Sequence, residues 1–247
     1  MNILVFDTET TSLDKPFCYN IGYIIVNTDT HEVLTLGDYV VEQVWHNLPL
    51  FSSAYYADKR PLYVKRLRAR LAIMDKFGYI CRQMSRDIKT YGVEHAYAYN
   101  SSFDEKVFEF NCDWYKCSNP LDVLKIHDIR GYVHSFIVDK TYKEFCEKHE
   151  LFTETGNYST TAEAVYRYLI DEDFTEEHTA LADAKIEADI LFRCIERGAK
   201  IEYDEKVLRS IERKITKTLT LITPKETYEF EYEKIRINKD KTQITLK

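Results

Sequence analysis

Carboxylates stand at three separate places in this chain where an apolar segment passes into polar sequence. Asp7 and Glu9 follow the apolar run at residues 3–6. Asp104 lies in YNSSFDEKVF and Asp183 in HTALADAKIEAD. Taken singly, each acid could be a solvated strand end or a helix acid favoured by the dipole. Four acids that converge on one point, in contrast, repel one another unless cations lie between them, and oxygen ligands favour Mg²⁺ or Mn²⁺.

Such a cluster suits the hydrolysis of phosphodiesters. Two ions about 3.5 to 4 Å apart activate a water on one side of the phosphorus and stabilise the leaving oxygen on the other. The attacking water also needs a proton acceptor near neutral pH. His178 lies five residues before Asp183, at the start of a predicted helix. It is therefore the candidate general base.

The elements that must position these residues begin with strands at the amino end. The segments NILVFD, YNIGYIIVNT and EVLTLGDYVV are rich in β-branched and aromatic residues and are separated by polar turns. This pattern predicts an antiparallel meander, and HAYAYN is predicted as a further short strand. Because side chains two residues apart in a strand point to the same face, we expect Asp7 and Glu9 to aim at one spot.

Helices account for much of the remaining chain. Apolar residues recur at helical spacing over residues 61–90, with Gly78 as the one turn signal. Helices are also predicted at 103–110, 121–127 and 142–149, and a strand is predicted near DWYKCS. TTAEAVYRYLI is predicted as a helix with Ser159 or Thr160 as its cap. TALADAKIEADILFRCIERG is predicted as a helix that ends at Gly198. The last helix carries Asp183 on the flank of its apolar seam, facing the sheet. The fold class predicted is α/β, a mixed sheet flanked by helices.

The character of the sequence changes after Gly198. TLTLIT, TYEFEYEKIRI and TQITLK read as strands, and NKDK reads as a turn between the last two. The chain is therefore predicted to have a main domain at residues 1–198 and a small β-rich extension at residues 199–247.

Charge alone argues against a nucleic-acid partner. The net charge is -7 over 247 residues, whereas affinity for nucleic acid comes mainly from neutralised phosphates. The segment at residues 59–70 nonetheless carries six basic residues and no acid. It is either a solvated helix face or a local surface for a nucleic-acid strand.

Cysteine spacing and hydropathy bear on the compartment. The six cysteines form no CxxC pair, which favours reduced thiols. A zinc site that joins Cys112 and Cys117 to His127 or His134 has a spacing that matches no common module. No apolar run approaches the roughly 20 residues that span a bilayer, and the run at residues 3–6 is too short for a signal peptide. We expect a cytoplasmic protein without a membrane partner.

Three motifs of the sequence resemble those of a known family. FDTETTSL, AYNSSFDEKVF and HTALADAKIEADIL are similar, in their order and in their D-x-E, N-x-x-F-D and H-x-x-x-x-D spacings, to the motifs of the DEDDh (DnaQ-like) 3′-to-5′ exonucleases. These enzymes have the ribonuclease H-like fold, and the resemblance covers residues 1–197. NYSTTAEAVYRYL is similar to exonucleases of tailed bacteriophages, which implies a phage-encoded member in the host cytoplasm.

The resemblance implies a role for each acidic residue and for the histidine. Asp7, Glu9 and Asp183 are expected to hold the first of two Mg²⁺ or Mn²⁺ ions. Asp7 is expected to bridge to the second ion, which Asp104 supports through water. His178 is expected to take the proton from the attacking water.

The resemblance also implies contacts to the substrate. Thr10 is expected at the 3′-hydroxyl, and Leu13 is expected to act as an apolar wedge against the last base. Phe103 is expected either to pack near the terminal base or to belong to the core. Asn100 is expected either to orient the metal site or to cap the following helix.

The function predicted on these grounds is a metal-dependent 3′-to-5′ exonuclease that acts on single-stranded DNA or RNA 3′ ends and releases nucleoside 5′-monophosphates. One alternative is trimming of short or structured RNA ends. Another is a non-catalytic nucleic-acid- or protein-binding module, although such a module would commonly have lost one of the acids. The basic segment and the extension leave the choice of DNA or RNA open, and a second copy of the chain or a replication protein stays open as a partner.

Overall fold

One mixed sheet forms the centre of the protein. The computed structural model describes residues 1–203 and 211–213 and, for the backbone alone, four short strands further on. Within residues 1–203 the strands are β1 Asn2–Thr10, β2 Cys18–Asn27, β3 Val33–Val41, β4 Ile73–Asp75, β5 His95–Ala98 and β6 Lys125–Asp128. Their spatial order is β4-β3-β2-β1-β5-β6. The first three strands are antiparallel, and β4, β5 and β6 each pair in parallel with a neighbour, which confirms the predicted meander and mixed sheet.

Helices cover both faces of this sheet. Among the described residues they are α1 Glu42–Trp45, α2 Leu48–Phe51, α3 Arg60–Arg68, α4 Phe77–Tyr91, α5 Ser101–Tyr115, α6 Ile129–Phe136, α7 Lys140–Lys148, α8 Ala162–Leu169 and α9 Ala180–Glu196, with 3₁₀ turns at Ala57–Lys59 and Pro120–Val123. None of the helices in this part of the chain has the length and apolar character needed to cross a membrane.

Strand β1 is the centre of the core because it is apolar on both faces. Leu4 and Phe6 belong to the apolar cluster that includes α4 and α5, whereas Ile3 and Val5 belong to the cluster that includes α6, α8 and α9. All four side chains are fully buried. A strand with helices on both sides needs such a continuous apolar run. By the same alternation, the two acids that follow share the α9 side of the sheet.

Three predicted elements near the sheet edges were wrong. The single helix expected over residues 61–90 is broken by β4, which pairs in parallel with β3. The helix expected over residues 121–127 is a 3₁₀ turn followed by β6, which pairs in parallel with β5. In place of the strand expected near DWYKCS, residues 113–115 form the end of α5 and residues 116–118 belong to the loop that follows. In the first two places, backbone pairing with a distant strand overrides the local helical pattern.

Helix ends follow the sequence more closely. The cap of α8 is Thr161, whose Oγ1 accepts a hydrogen bond from the Ala164 amide at 3.3 Å, so the prediction of Ser159 or Thr160 was wrong by one or two residues. Helix α9 is confirmed, and the chain leaves it at Gly198 with φ of 99°. A positive φ at this position is the usual signature of a glycine helix stop.

Strands also occur beyond residue 213. β7 Lys217–Ile222 pairs antiparallel with β8 Thr227–Tyr232, and β9 Ile235–Ile237 pairs antiparallel with β10 Ile244–Leu246. The predicted NKDK turn lies outside the described residues. Just after residue 198 the chain still touches the main domain, because the hydroxyls of Tyr97 and Tyr132 both donate to the Ile201 carbonyl at 2.6 Å. The domain boundary at residue 198 stays a prediction.

Candidate active site

Three carboxylates meet at the end of β1. Asp7, Glu9 and Asp183 each place an oxygen within 4.8 Å of the others. Asp7 and Glu9 are two residues apart in one strand and therefore share a face. Asp183 lies in the first turn of α9 and is 6% exposed. The structure thus brings together three of the predicted metal ligands from opposite ends of the chain.

The start of α9 can reach this point because β2 presents a glycine there. Gly22 pairs with Asp7 across the β1–β2 ladder, and a Cβ at position 22 would lie 2.0 Å from the Leu181 amide nitrogen. Beside it, the buried Asn20 accepts a hydrogen bond from the Ala180 amide through Oδ1 at 2.9 Å. The Thr179 side chain, at the N-cap position, makes no capping hydrogen bond. The Asn20 side chain on β2 therefore satisfies one of the free amides at the start of α9.

Gly22→Ala is expected to destabilise the protein by about 3 kcal/mol, because the new methyl group collides with helix backbone and not with a movable side chain. Chemical denaturation measures the change. Gly92→Ala is the matched control, because an added methyl group at position 92 meets open space. Its expected loss of stability is about 1 kcal/mol, from placing alanine in a left-handed backbone conformation. Equal losses in the two variants would contradict the close approach of α9.

Asp104 lies beside the three carboxylates on α5. It is 2% exposed, and its Oδ1 accepts a hydrogen bond from the Thr8 hydroxyl at 2.6 Å. Asn100, just before α5, has φ of 65°, and its side chain makes no capping hydrogen bond. Asn100 therefore occupies the N-cap position without capping through its side chain, and its other expected role, to orient the metal site, stays a prediction. Asparagine suits the position because it tolerates the left-handed conformation.

His178 borders the cluster on the loop before α9. Its ring stacks on Tyr56 with a centroid distance of 4.4 Å, and Nδ1 lies 3.5 Å from Oε2 of Glu176. His178, Glu176 and Asp183 form a second group whose ligand atoms lie within 4.8 Å of one another. Burial and the nearby Lys59 lower the pKa of His178, so the neutral, proton-accepting imidazole is favoured.

Two further acids belong to the site and were missed in the sequence. Glu187 is 3% exposed, and its Oε2 accepts a hydrogen bond from the Tyr99 amide at 3.2 Å. It lies one helical turn after Asp183, so a spacing of four residues was a usable signal. Glu176 sits in the irregular loop before α9 and has no periodic signal. The structure therefore gathers six carboxylates where the sequence indicated four.

Crowding and burial hold protons on these acids. Desolvation, assisted by neighbouring carboxylates, raises the pKa of Glu9 to about 8 and that of Asp183 to about 9. Desolvation also raises the pKa of Asp104 to about 7, against the lowering effect of the Thr8 hydrogen bond. Oδ1 of Asp183 is buried without a hydrogen-bond partner among the described residues. A hard divalent cation would satisfy that oxygen and offset the repulsion, so the residues present fit such an ion.

These pKa shifts predict how the metal-free protein responds to pH. Between the ordinary carboxyl pKa near 4 and the raised values, up to about 9 for Asp183, the folded state binds more protons than the unfolded state. Stability without metal is therefore expected to fall as the pH rises through this window. The increase in Tm caused by Mg²⁺ should grow from pH 5 to pH 9 in thermal denaturation. The same increase at every pH, or one kept in Asp183→Asn, would contradict the cation site.

The residues expected to contact a substrate lie around this cluster. Leu13, in the loop after β1, is 84% exposed, and the Thr10 hydroxyl donates to the Ser12 carbonyl at 3.3 Å. Phe103 is partly buried and packs against the apolar cluster that contains α5. An exposed leucine beside a polar cluster is available for contact with a ligand, whereas Phe103 already has a structural use.

The basic segment at residues 59–70 lies partly against this site. Arg66 pairs with the buried Asp38 at 2.6 Å and with Glu177 at 3.2 Å. Lys59 donates through Nζ to the Glu177 carbonyl, and the Arg60 guanidinium stacks 3.9 Å above Trp45. These three cations thus have structural partners. Lys65, Arg68 and Arg70 are exposed.

Solved structures similar to this fold include 3′-exonucleases. The nuclease domain of 3′hExo, a DEDDh family member, bound to rAMP, has a TM-score of 0.53 at 14% identity over 85% of this chain and 97% of that chain. A structure of 3′-end specific recognition of histone mRNA stem-loop by a 3′-exonuclease has a TM-score of 0.56 at 14% identity over 93% of this chain and 90% of that chain. No protein-family model and no curated protein matches the sequence. The likeness confirms the predicted ribonuclease H-like fold.

Proposed function

We propose that this chain is a DEDDh-type 3′-to-5′ exonuclease that removes nucleoside 5′-monophosphates from single-stranded DNA or RNA 3′ ends. The observation that carries the proposal is the meeting of Asp7, Glu9 and Asp183 within 4.8 Å, with Asp104 and His178 beside them. A solvated strand end would not gather two half-buried acids with buried acids from two distant parts of the chain. The likeness to 3′-exonuclease folds supports the same reading.

The acids fit two divalent ions, Mg²⁺ or Mn²⁺. Asp7, Glu9 and Asp183 would hold one ion, and Asp7 and Asp104 would hold the other. Bound ions supply the positive charge that acidifies a water and stabilises the leaving oxygen. Thr8 orients the Asp104 carboxylate through its 2.6 Å hydrogen bond. Neutralised in this way, the acids become a surface that can accept a phosphate.

His178 would accept the proton of the attacking water. The stack on Tyr56 and the contact with Glu176 hold its ring at the rim of the cluster. Its lowered pKa keeps the imidazole neutral before the proton arrives. The Glu176 carboxylate can then stabilise the imidazolium that forms.

The 3′-terminal nucleotide would bind over the loop after β1. Thr10 would contact the 3′-hydroxyl, and the exposed Leu13 would pack against the last base. Asn100, just before α5, and the exposed part of the half-buried Phe103 would border the same nucleotide. RNA is a substrate class to test first, because the similar structures involve rAMP and histone mRNA stem-loop.

The exposed cations of α3 are expected to contribute to strand binding. A Lys65→Ala/Arg68→Ala double variant should raise KM several-fold at low salt with little change in kcat. The salt dependence of log KM should weaken by about 0.7 per lost phosphate contact on a single strand. Lys140→Ala is the control, since that side chain is 90% exposed but lies on α7. Equal KM values in the double variant and the wild type would show that Lys65 and Arg68 do not contribute to strand binding.

The direct test is digestion of matched 5′-labelled DNA and RNA oligonucleotides with Mg²⁺, with Mn²⁺ and with a chelator. A ladder that shortens from the 3′ end in the presence of metal is expected. A circular oligonucleotide of the same sequence should stay intact, because it has no 3′ end. If the linear strands stay intact with both metals, the proposal fails, and binding without cleavage would then favour a non-catalytic module.

Sugar preference can be assigned with the same assay. RNA oligonucleotides that carry a single deoxynucleotide at the 3′ end test whether the site contacts the terminal 2′-hydroxyl. A slower first cleavage followed by normal cleavage would identify a ribonuclease that trims RNA ends. Equal rates for every substrate would indicate an enzyme without sugar preference.

A further inference from the structure

Three cysteines form a cluster where α4 meets the end of α5, on the side of the sheet away from α9. Cys81 and Cys112 are buried, and Cys117 is partly exposed. Their sulfur atoms all lie within 4.8 Å of one another. The three thiols are unbridged. They come from two helices and the loop that follows the second, and no function proposed above uses them.

The backbone after α5 is shaped to bring Cys117 back over Cys112. The residue between α5 and Cys117 is Lys116, which has the left-handed conformation with φ of 53°. The Cys117 amide then donates to the Cys112 carbonyl at 3.0 Å. A chain reversal at this point places a loop cysteine next to a helix cysteine five residues earlier.

Helix α4 leaves room for that loop through a glycine. Gly78 lies one turn before Cys81 on the same face of α4. A Cβ at position 78 would lie 3.3 Å from Cβ and 3.8 Å from Sγ of Cys117. The missing side chain therefore lets Cys117 approach α4 and reach Cys81. The chain reversal at Lys116 and the glycine at position 78 both place Cys117 next to the two helix cysteines.

The geometry and the surroundings of the thiols suit a soft metal ion. Tetrahedral zinc with Zn–S bonds of about 2.3 Å separates its sulfurs by about 3.8 Å, so a contraction of about 1 Å at most would complete the site. A cavity of about 500 Å³ borders the cluster and is lined by Arg82 and Lys116 as well as the cysteines. It offers space for a fourth ligand from solvent. Asp113 also lines the cavity, so the two cations exceed the local acid by one charge and can offset part of the negative charge of three thiolates around one divalent ion.

We propose that Cys81, Cys112 and Cys117 form a trithiolate site for Zn²⁺ that fastens the start of α4 to the end of α5. The fourth ligand is a solvent molecule on the side of the cavity. This site differs from the carboxylate cluster in ligand type, because thiolates select zinc whereas carboxylates select Mg²⁺ or Mn²⁺.

The residue set also corrects the sequence-based zinc hypothesis. Cys112 and Cys117 were paired there with His127 or His134. Nε2 of His127, on β6, instead lies 3.0 Å from Nδ1 of His95, on β5. Nε2 of His134 lies 3.3 Å from the Thr160 hydroxyl, and neither histidine joins the cysteine group among the described residues. Cys81, distant in the sequence, supplies the third thiol. The chain separation of Cys81 and Cys112 matches no local zinc motif, which is why spacing alone could not reveal the site.

Zinc analysis of the full-length reduced protein tests the proposal. After zinc loading and removal of loosely held metal, elemental analysis should find about one zinc per chain, and Cys117→Ala should lose it. Cys146→Ala is the matched control, since that cysteine is also free but buried in the other apolar cluster. Asp183→Asn should keep its zinc, which separates this site from the carboxylates. Loading with Co²⁺ should add a thiolate-to-cobalt charge-transfer band that Cys117→Ala lacks.

A second measurement uses the wild-type protein alone. Zinc should protect Cys117, the partly exposed member of the cluster, from alkylation, as mapped by peptide mass spectrometry. Equal zinc content in the wild type and Cys117→Ala would overturn the proposal, as would unchanged alkylation or a disulfide within the cluster that forms despite bound zinc. None of these outcomes depends on hydrolysis of nucleic acid, so this inference and the proposed exonuclease stand or fall separately.

Discussion

Asp7→Asn is expected to slow 3′-end hydrolysis about 10³-fold while leaving the metal-free protein at least as stable as the wild type. Asp7 is the central acid of the cluster, and its pKa is raised by burial first and then by Asp104, Glu187 and Asp183. An asparagine of nearly the same shape removes this repulsion, which favours the folded state without metal. The same change removes a ligand proposed for both ions. Loss of about 4 kcal/mol of transition-state stabilisation corresponds to a rate about three orders of magnitude lower.

Two measurements on the same preparation check this prediction. Single-turnover cleavage of a 5′-labelled oligonucleotide with Mg²⁺ gives the rate, and chemical denaturation in chelator gives the free energy of unfolding. Asp29→Asn is the matched control, because the Asp29 side chain is 81% exposed. Asp29 lies just after Asn27, which pairs with Asn2, and this is the end of β1 away from Asp7. A variant that keeps a tenth of the wild-type rate would remove Asp7 from the proposed mechanism. A clear loss of metal-free stability would contradict the repulsion among the acids.

His178→Gly is expected to lower the single-turnover rate by about 10²- to 10⁴-fold, the usual contribution of a general base. Glycine suits the backbone here, because His178 has φ of 54° and glycine adopts that conformation without strain. Removal of the ring opens space against Tyr56, on which the imidazole stacks at 4.4 Å. Added imidazole should therefore restore part of the rate. The concentration of Mg²⁺ needed for half-maximal activity should change little, because His178 is not assigned as a metal ligand.

The structure offers a close control for this variant. His31 also has a positive φ, of 57°, and also stacks on an aromatic ring, that of Phe192 at 4.1 Å. It lies in the turn between β2 and β3, away from the carboxylates. His31→Gly should keep the wild-type rate and gain nothing from imidazole. If His178→Gly cleaves at the wild-type rate, another group accepts the proton; if imidazole fails to raise a reduced rate, His178 acts through structure and not as the base.

Repulsion among the acids of the metal-free site also affects how the stability of the protein should be measured. Glu187 and Glu176, which no motif marks, add to the repulsion around Asp183. Removal of divalent ions at alkaline pH therefore combines the largest repulsion with no compensating cation. Stability measurements on any active-site variant should be made with and without metal, because the two states can respond in opposite directions.

Local sequence patterns alone predict several of the strands and helices of this protein and the faces on which their acidic side chains lie. The apolar run at residues 3–6 followed by Asp7 and Glu9 predicts a buried strand with two acids on one face, since side chains in a strand alternate with period two. The seam of α9 and the spacing of His178 and Asp183 are equally local. These features depend on neighbours within one or two turns, so the meander, α9 and the shared face of Asp7 and Glu9 could be predicted from residue order.

Features that depend on contacts between distant segments emerged only in the folded chain. β4 and β6 look helical in isolation and become strands because β3 and β5 offer them free backbone groups at the sheet edges. The close passage of α9 over Gly22, the stack of Tyr56 on His178 and the addition of Cys81 to the two later cysteines have no periodic signal. Sequence order specifies which chemical groups each element carries. The packing of elements decides which of those groups meet, because it depends on steric fit between residues far apart in the chain.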